Sequence, residues 1–166
     1  MALHDDLLAI ARQMIDRNPG APIEAELRRA VSTAYYALFH LFIHDGTGCL
    51  VATASLRPRV SRTFEHKHMR AVCREYAALQ SYAEQYVTSD GLLVPGQLVT
   101  IADTFVTLNE ARLQADYNTS TAVTLAQATA NVERAEQAFK DWVAIQADPA
   151  TETFLAELWC RGIPKR

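Results

Sequence analysis

LRRAVSTAYYALFHLFIH, residues 27–44, is the stretch whose reading decides the fold. Leu27, Val31, Ala34, Leu38 and Leu41 recur at three- and four-residue steps, the spacing of one helix face. Arg29, Thr33, Tyr36, His40 and His44 fall on a second stripe, so one face packs and the other carries side chains able to do chemistry. Tyr35, Phe39, Phe42 and Ile43 make the second half apolar over most of its circumference, which predicts a central helix enclosed by neighbours.

Upstream, Leu3, Leu7, Ile10 and Met14 predict an amphipathic helix, opened by His4, Asp5 and Asp6 and stopped by Asn18, Pro19 and Gly20. Pro22 and two glutamates open the central helix, and Asp45 and Gly46 are expected to close it. Residues 46–61, rich in Gly, Thr, Ala and Ser, read as a long irregular connection, either disordered or a functional loop. A further helix follows with a seam through Met69, Val72, Tyr76, Leu79, Ala83 and Tyr86. Its period run backwards places Arg62 and His66 near that seam.

After the breaker SDGLLVPG, Leu98, Ile101, Phe105, Leu108 and Ala115 mark the next helix. Arg112 and Asp116 project from its apolar face, and such a pair should either neutralise itself in the interior or line a pocket. Ser120 is the expected cap of a long helix through Leu125, Ala128, Val132, Ala135, Phe139 and Trp142 to about Ala147. The last piece, TETFLAELWC, packs Phe154, Leu155, Leu158 and Trp159 against the body or a second copy. The patterns together predict an all-α chain of about five helices plus a short C-terminal one.

With 166 residues, 49% of them hydrophobic, one domain spanning 1–166 is expected. A net charge of -3 argues against a generic polyanion binder, but the charge is uneven. Arg57, Arg59, Arg62, Lys67, Arg70 and Arg74 face a single acid, Glu65, which leaves the rest of the chain at about -8. Cys49, Cys73 and Cys160 are odd in number and in no ligand spacing, as suits reduced thiols. No basic, apolar leader opens the sequence and no apolar run reaches membrane-spanning length, so a soluble cytoplasmic protein is expected, without membrane contact. His66 and His68 stand at i, i+2, on opposite sides of a helix, and neither a Gly-rich phosphate loop nor a nucleophile elbow is present; no metal or cofactor is expected.

Two stretches, R-x-x-x-x-x-YYALFH at residues 29–40 and R-x-x-A-D-Y at residues 112–117, together resemble the HEPN superfamily of small helical domains in prokaryotic toxins and defence systems. Phe64 and His66 resemble a weaker third element, F-x-H. The resemblance implies an up-and-down helical bundle that forms a homodimer. It also implies, in many members, a metal-independent endoribonuclease whose site holds Arg and His four to six residues apart. Tyr117 stands where that pattern, counted from Arg112, places His; Arg62 with His68, or Arg59 with His66, meets the spacing elsewhere.

Cleavage of RNA by this route needs a base for the 2′-OH, an acid for the leaving oxygen and a cation against the phosphate. Arg112, Asp116, Tyr117, His66 and Arg62 are the candidate catalytic set, and Arg59, Lys67, His68, Arg70, Tyr36 and His40 the candidate substrate-binding set. A histidine titrating near 6.5 suits either proton role, whereas a tyrosine near 10 needs perturbation. Plainer alternatives stand beside these: a structural Arg112–Asp116 pair orienting Tyr36 or His40, a packed His40, and a merely solvated basic segment. The expectation is therefore an RNA-binding, RNA-cleaving toxin or defence component. Its alternative is a non-catalytic module that binds a nucleotide or docks a protein partner such as a nucleotidyltransferase antitoxin.

Overall fold

In the computed structural model, which describes residues 2–79, 87–88 and 90–160, the central stretch lies within one helix, α2 (Glu24–Leu50). Around it in sequence stand α1 (Leu3–Asp16), α3 (Arg57–Val60), α4 (His66–Ala78), α5 (Gly96–Tyr117), α6 (Leu125–Ile145) and α7 (Pro149–Trp159). Among the described residues the β pairing is confined to an isolated bridge between Val87 and Leu93, and the fold is an all-α helical bundle. Ala83 and Tyr86, the last expected positions of the α4 seam, lie outside the described residues.

The expected stop at Asp45 and Gly46 is not where α2 ends. A Cβ on Gly46 would stand 3.4 Å from Phe64 Cζ and 3.7 Å from Leu155 Cδ2, so this glycine serves close side-chain approach inside a continuing helix. Thr47 Oγ1 donates to the Ile43 carbonyl at 2.8 Å, which returns a polar side chain to the helix itself. The connection expected to be irregular is largely short helical turns: two 3-10 turns, Ala54–Leu56 and Ser61–Thr63, flank α3. Pro58 sits in the first turn of α3, where no helical hydrogen bond is lost. Arg57 donates from Nε to the Val51 carbonyl at 3.0 Å and from Nη2 to that of Gly48 at 3.3 Å, meeting carbonyls at the end of α2.

The chain packs as two compact units. Unit 1, Met1–His40 with Thr104–Lys140, has a core of small residues: Ala11, Ala30, Ala34, Ala37, Ala128 and Ala135 are fully enclosed with Tyr35, Leu38 and Phe105. Its α1 buries His4, Ala11 and Ile15, one position round from the expected stripe, and leaves Leu3 58% and Ile10 42% exposed. A bidentate bond from Arg12 to Glu136, at 2.8 and 2.5 Å, and the tilted ring contact of His4 with Phe139, 5.8 Å between centroids, hold that face instead.

Unit 2, Leu41–Asp103 with Asp141–Arg166, is packed by large rings. Phe42 lies 5.1 Å from Trp142 and 5.4 Å from Phe154 between centroids, and Tyr76 lies 4.9 Å from Phe154. Trp142 is enclosed, and its Nε1 donates to Asp45 Oδ2 at 2.6 Å, so the polar edge of the ring is met. Helix α7 starts at Asp148, whose side chain accepts from the Ala150 amide at 2.8 Å with Pro149 next in line. It buries Phe154, Leu155 and Leu158 in its own chain, and Trp159 Nε1 donates to Thr63 Oγ1 at 2.7 Å.

Candidate functional site

Arg112 and Asp116 come one helical turn apart on α5, and the pair forms: Arg112 Nε donates to Asp116 Oδ2 at 3.1 Å. Their side chains are only 15% and 22% exposed. Asp116 also accepts from Ser32 Oγ on α2, so both of its oxygens are engaged. The Arg112 guanidinium lies over three tyrosine rings, at 5.7 Å from Tyr35, 5.4 Å from Tyr36 and 5.9 Å from Tyr117. Burial works against its charge, but Tyr36, Asp116, Tyr117 and Tyr35 outweigh that and hold its pKa above the usual value.

The arrangement is a charged plane set among aromatic faces, with Nε committed to a carboxylate. Among the described residues the two Nη groups make no hydrogen bond, so they remain to meet an incoming acceptor. Tyr117 is 72% exposed and offers an open ring at the end of α5. Arg28 fixes the turn just beyond. Its Nη1 donates to the carbonyls of Ala115 at 2.8 Å and Asn118 at 2.9 Å, its Nη2 to that of Thr121 at 2.7 Å, and Nε and Nη2 both bind Glu24. A cation at a helix C-terminus both satisfies free carbonyls and opposes the helix dipole.

His40 lies on the same stripe of α2 as Tyr36, with 6.5 Å between ring centroids, and packs edge-on to Phe39 at 5.3 Å. Burial first and the proximity of His4 second push its pKa below the ordinary value, so its imidazole is neutral near pH 7.

Arg112, Asp116, Tyr117, Tyr36 and His40 thus belong to unit 1, and the remaining candidates belong to unit 2. Arg59 is exposed on α3 and Arg62 exposed in the following 3-10 turn, outside the helix whose period was extended to reach it. His66 opens α4 half-buried, Lys67 is exposed, and Arg70 is half-buried. His68 is half-buried, with Nε2 hydrogen-bonded to the Glu157 carbonyl at 2.9 Å, which commits one ring nitrogen to tying α4 to α7. The chain brings together a cation, a carboxylate and tyrosines in unit 1, and a run of cations with two histidines in unit 2.

Sequence reasoning did not name Ser32, Tyr35 or Arg28 as part of the unit 1 cluster. Ser32 is 3% exposed, and a hydroxyl so enclosed on a helix needs a partner, a signal readable from its place one turn before Tyr35 and Tyr36. Among the described residues no group of three or more His, Cys, Asp or Glu is placed to hold a metal ion, and no helix is long and apolar enough to cross a membrane. No family model, no curated protein and no solved structure matches this chain.

Proposed function

We propose that this chain is a HEPN-like module that binds single-stranded RNA as a homodimer, in a toxin or defence setting. The observation that carries the reading is the Arg112 guanidinium, with its Nη edge uncommitted and held over Tyr35, Tyr36 and Tyr117. Arginine beside open aromatic faces suits RNA: the guanidinium meets phosphate and the rings stack on bases. The exposed Arg59, Arg62 and Lys67 of unit 2 supply a separate, sequence-independent attraction for the backbone. Cleavage is the further step of this reading: neutral His40 takes the proton as the 2′-oxygen bonds to phosphorus, the P–O5′ bond breaks to leave a 2′,3′-cyclic phosphate, and the 5′-oxygen leaves as a hydroxyl with a proton from water.

The test is anisotropy of a labelled single-stranded RNA with chelator present, followed on gels for cleavage. Binding should weaken with rising salt, and Tyr117→Ala should weaken it roughly tenfold, since stacking on one ring contributes about 1–3 kcal/mol. Its exposed position should leave the melting temperature unchanged. Equal binding by wild type and Tyr117→Ala rules out this surface. Cleavage that persists in His40→Gln removes His40 from the chemistry, and uncut RNA with intact binding confines the function to binding. Light scattering reads the dimer.

A second reading is favoured by the Arg112 charge being met already by Asp116. It is a non-catalytic module that docks a protein partner such as a nucleotidyltransferase antitoxin. Under it Arg112→Met lowers thermal stability while RNA is neither retained nor cut.

A further inference from the structure

Arg112 offers an incoming strand more than a positive charge. Its Nε is held by Asp116 Oδ2 at 3.1 Å, which fixes the plane of the guanidinium and leaves Nη1 and Nη2 as a preset pair of donors. Neither Nη is enclosed, so solvent, and with it a ligand, reaches both. The carboxylate beside them is drawn on at both oxygens, Oδ2 by Arg112 and Oδ1 by Ser32, so the open edge of the cluster is a donor edge.

Arg112 and Asp116 are neutral as a pair. A phosphate therefore gains less here than from a lone cation, and an uncharged edge with two adjacent acceptors competes with it. Base edges differ in what they show to two parallel donors. Guanine carries O6 and N7 side by side, whereas adenine sets an amino donor beside N7 and uracil parts its two carbonyls with an N–H. Cytosine's N3 and O2 are adjacent, but its amino donor stands next to N3 on the same edge. Tyr117 supplies the face: its ring centroid is 5.9 Å from Arg112 Cζ and the residue is open to solvent, within reach of a base bonded to the Nη pair.

We infer that this cluster selects guanine in a single strand, with O6 and N7 accepting from Arg112 Nη1 and Nη2 while the base lies on Tyr117. Phosphate contact holds any strand at the same fork, and the guanine contact sets its register. The inference rests on the RNA reading and names the base that its surface takes.

The experiment is anisotropy of the full chain, with chelator and at fixed salt, on labelled oligouridine strands of equal length. One central position carries uridine, guanosine, adenosine, cytidine, inosine or 7-deazaguanosine. The guanosine strand should bind about tenfold more tightly than the all-uridine strand. Inosine, which keeps O6 and N7, should match guanosine, and 7-deazaguanosine, which has C–H in place of N7, should fall to the uridine level. In Arg112→Lys, which keeps the charge without the fork, the guanosine-to-uridine ratio should drop to about one. That ratio is taken within one preparation, so a loss of folded protein cancels from it.

Equal binding of all strands, preference for adenosine or cytidine, full affinity for 7-deazaguanosine, or an unchanged ratio in Arg112→Lys overturns guanine selection and leaves the RNA reading standing. If no strand binds, the RNA reading falls, and the free nucleosides decide the rest. Binding of guanosine but not of 7-deazaguanosine then supports the base assignment alone, and binding of neither overturns both.

Discussion

Unit 1 and unit 2 are held together by different means. In unit 1, alanines let helix backbones approach closely, and arginines make the long-range connections: Arg12 to Glu136, and Arg28 to three carbonyls at the end of α5 and in the turn after it. In unit 2, Phe42, Trp142, Phe154 and Tyr76 fill the interior, and the cations stand largely outside. The difference teaches where ionisable groups are tolerated inside a helical protein. Small residues leave room for a guanidinium to reach across, whereas a ring cluster occupies that room and leaves charge to the surface.

The contrast is broken most directly at Trp142. Trp142→Ala should cost about 3–5 kcal/mol in urea unfolding, through lost ring packing and the lost hydrogen bond to Asp45 Oδ2. Unit 1 should respond to the opposite insult. Ala34→Leu overfills a fully enclosed position and should cost about 1–3 kcal/mol, so a neutral result would mean the small-residue core has slack.

Arg12→Met should cost about 1–2 kcal/mol, by removing the partner of Glu136. The hydrogen bond from Arg12 holds the Glu136 carboxyl below its usual pKa. The contribution is therefore full above about pH 4.5 and lost as pH falls through the lowered value, and the penalty of the variant should shrink there. Gly48→Ala should stabilise by about 0.5–1 kcal/mol, since an added Cβ meets nothing within 4 Å and the helix runs through it. A loss instead would place the end of α2 nearer Asp45.

The smallest effect concerns His40. Its pKa is depressed in the folded chain, so the unfolded chain takes up the proton first. Stability should fall as pH drops below about 6.5 and level off beneath the lowered value. His40→Gln should flatten that slope in urea midpoints measured against pH.

The long helices and the C-terminal one were legible because apolar residues recur at helical spacing, whereas the four-residue α3 is too short to carry such a pattern; the Arg112–Asp116 pair was legible because both break a stripe. What misled was local chemistry. Gly46 reads as a terminator when only short-range propensity is considered, and its packing role becomes visible only once Phe64 and Leu155 are placed. Ser120 reads as a cap, yet it bonds Asn118, and the cap belongs to Thr124, whose hydroxyl meets the Gln127 amide at 3.2 Å. The T-x-x-Q spacing of Thr124 and Gln127 carried that signal. The buried stripe of α1 runs through His4 and Ala11 rather than Leu3 and Ile10, because a tilted ring contact and close approach outweigh hydropathy there. The separation of Arg62 and His66 from Arg112 by unit had no local signature.

Cys73 is wholly enclosed in unit 2, and burial pushes its thiol well above the usual range, whereas Cys49 and Cys160 are exposed. A thiol-reactive dye should modify the two outer cysteines first and reach Cys73 only when that interior opens. The chain thus carries its own stopwatch for breathing of the aromatic cluster, read by mass after timed quenching, without any engineered label.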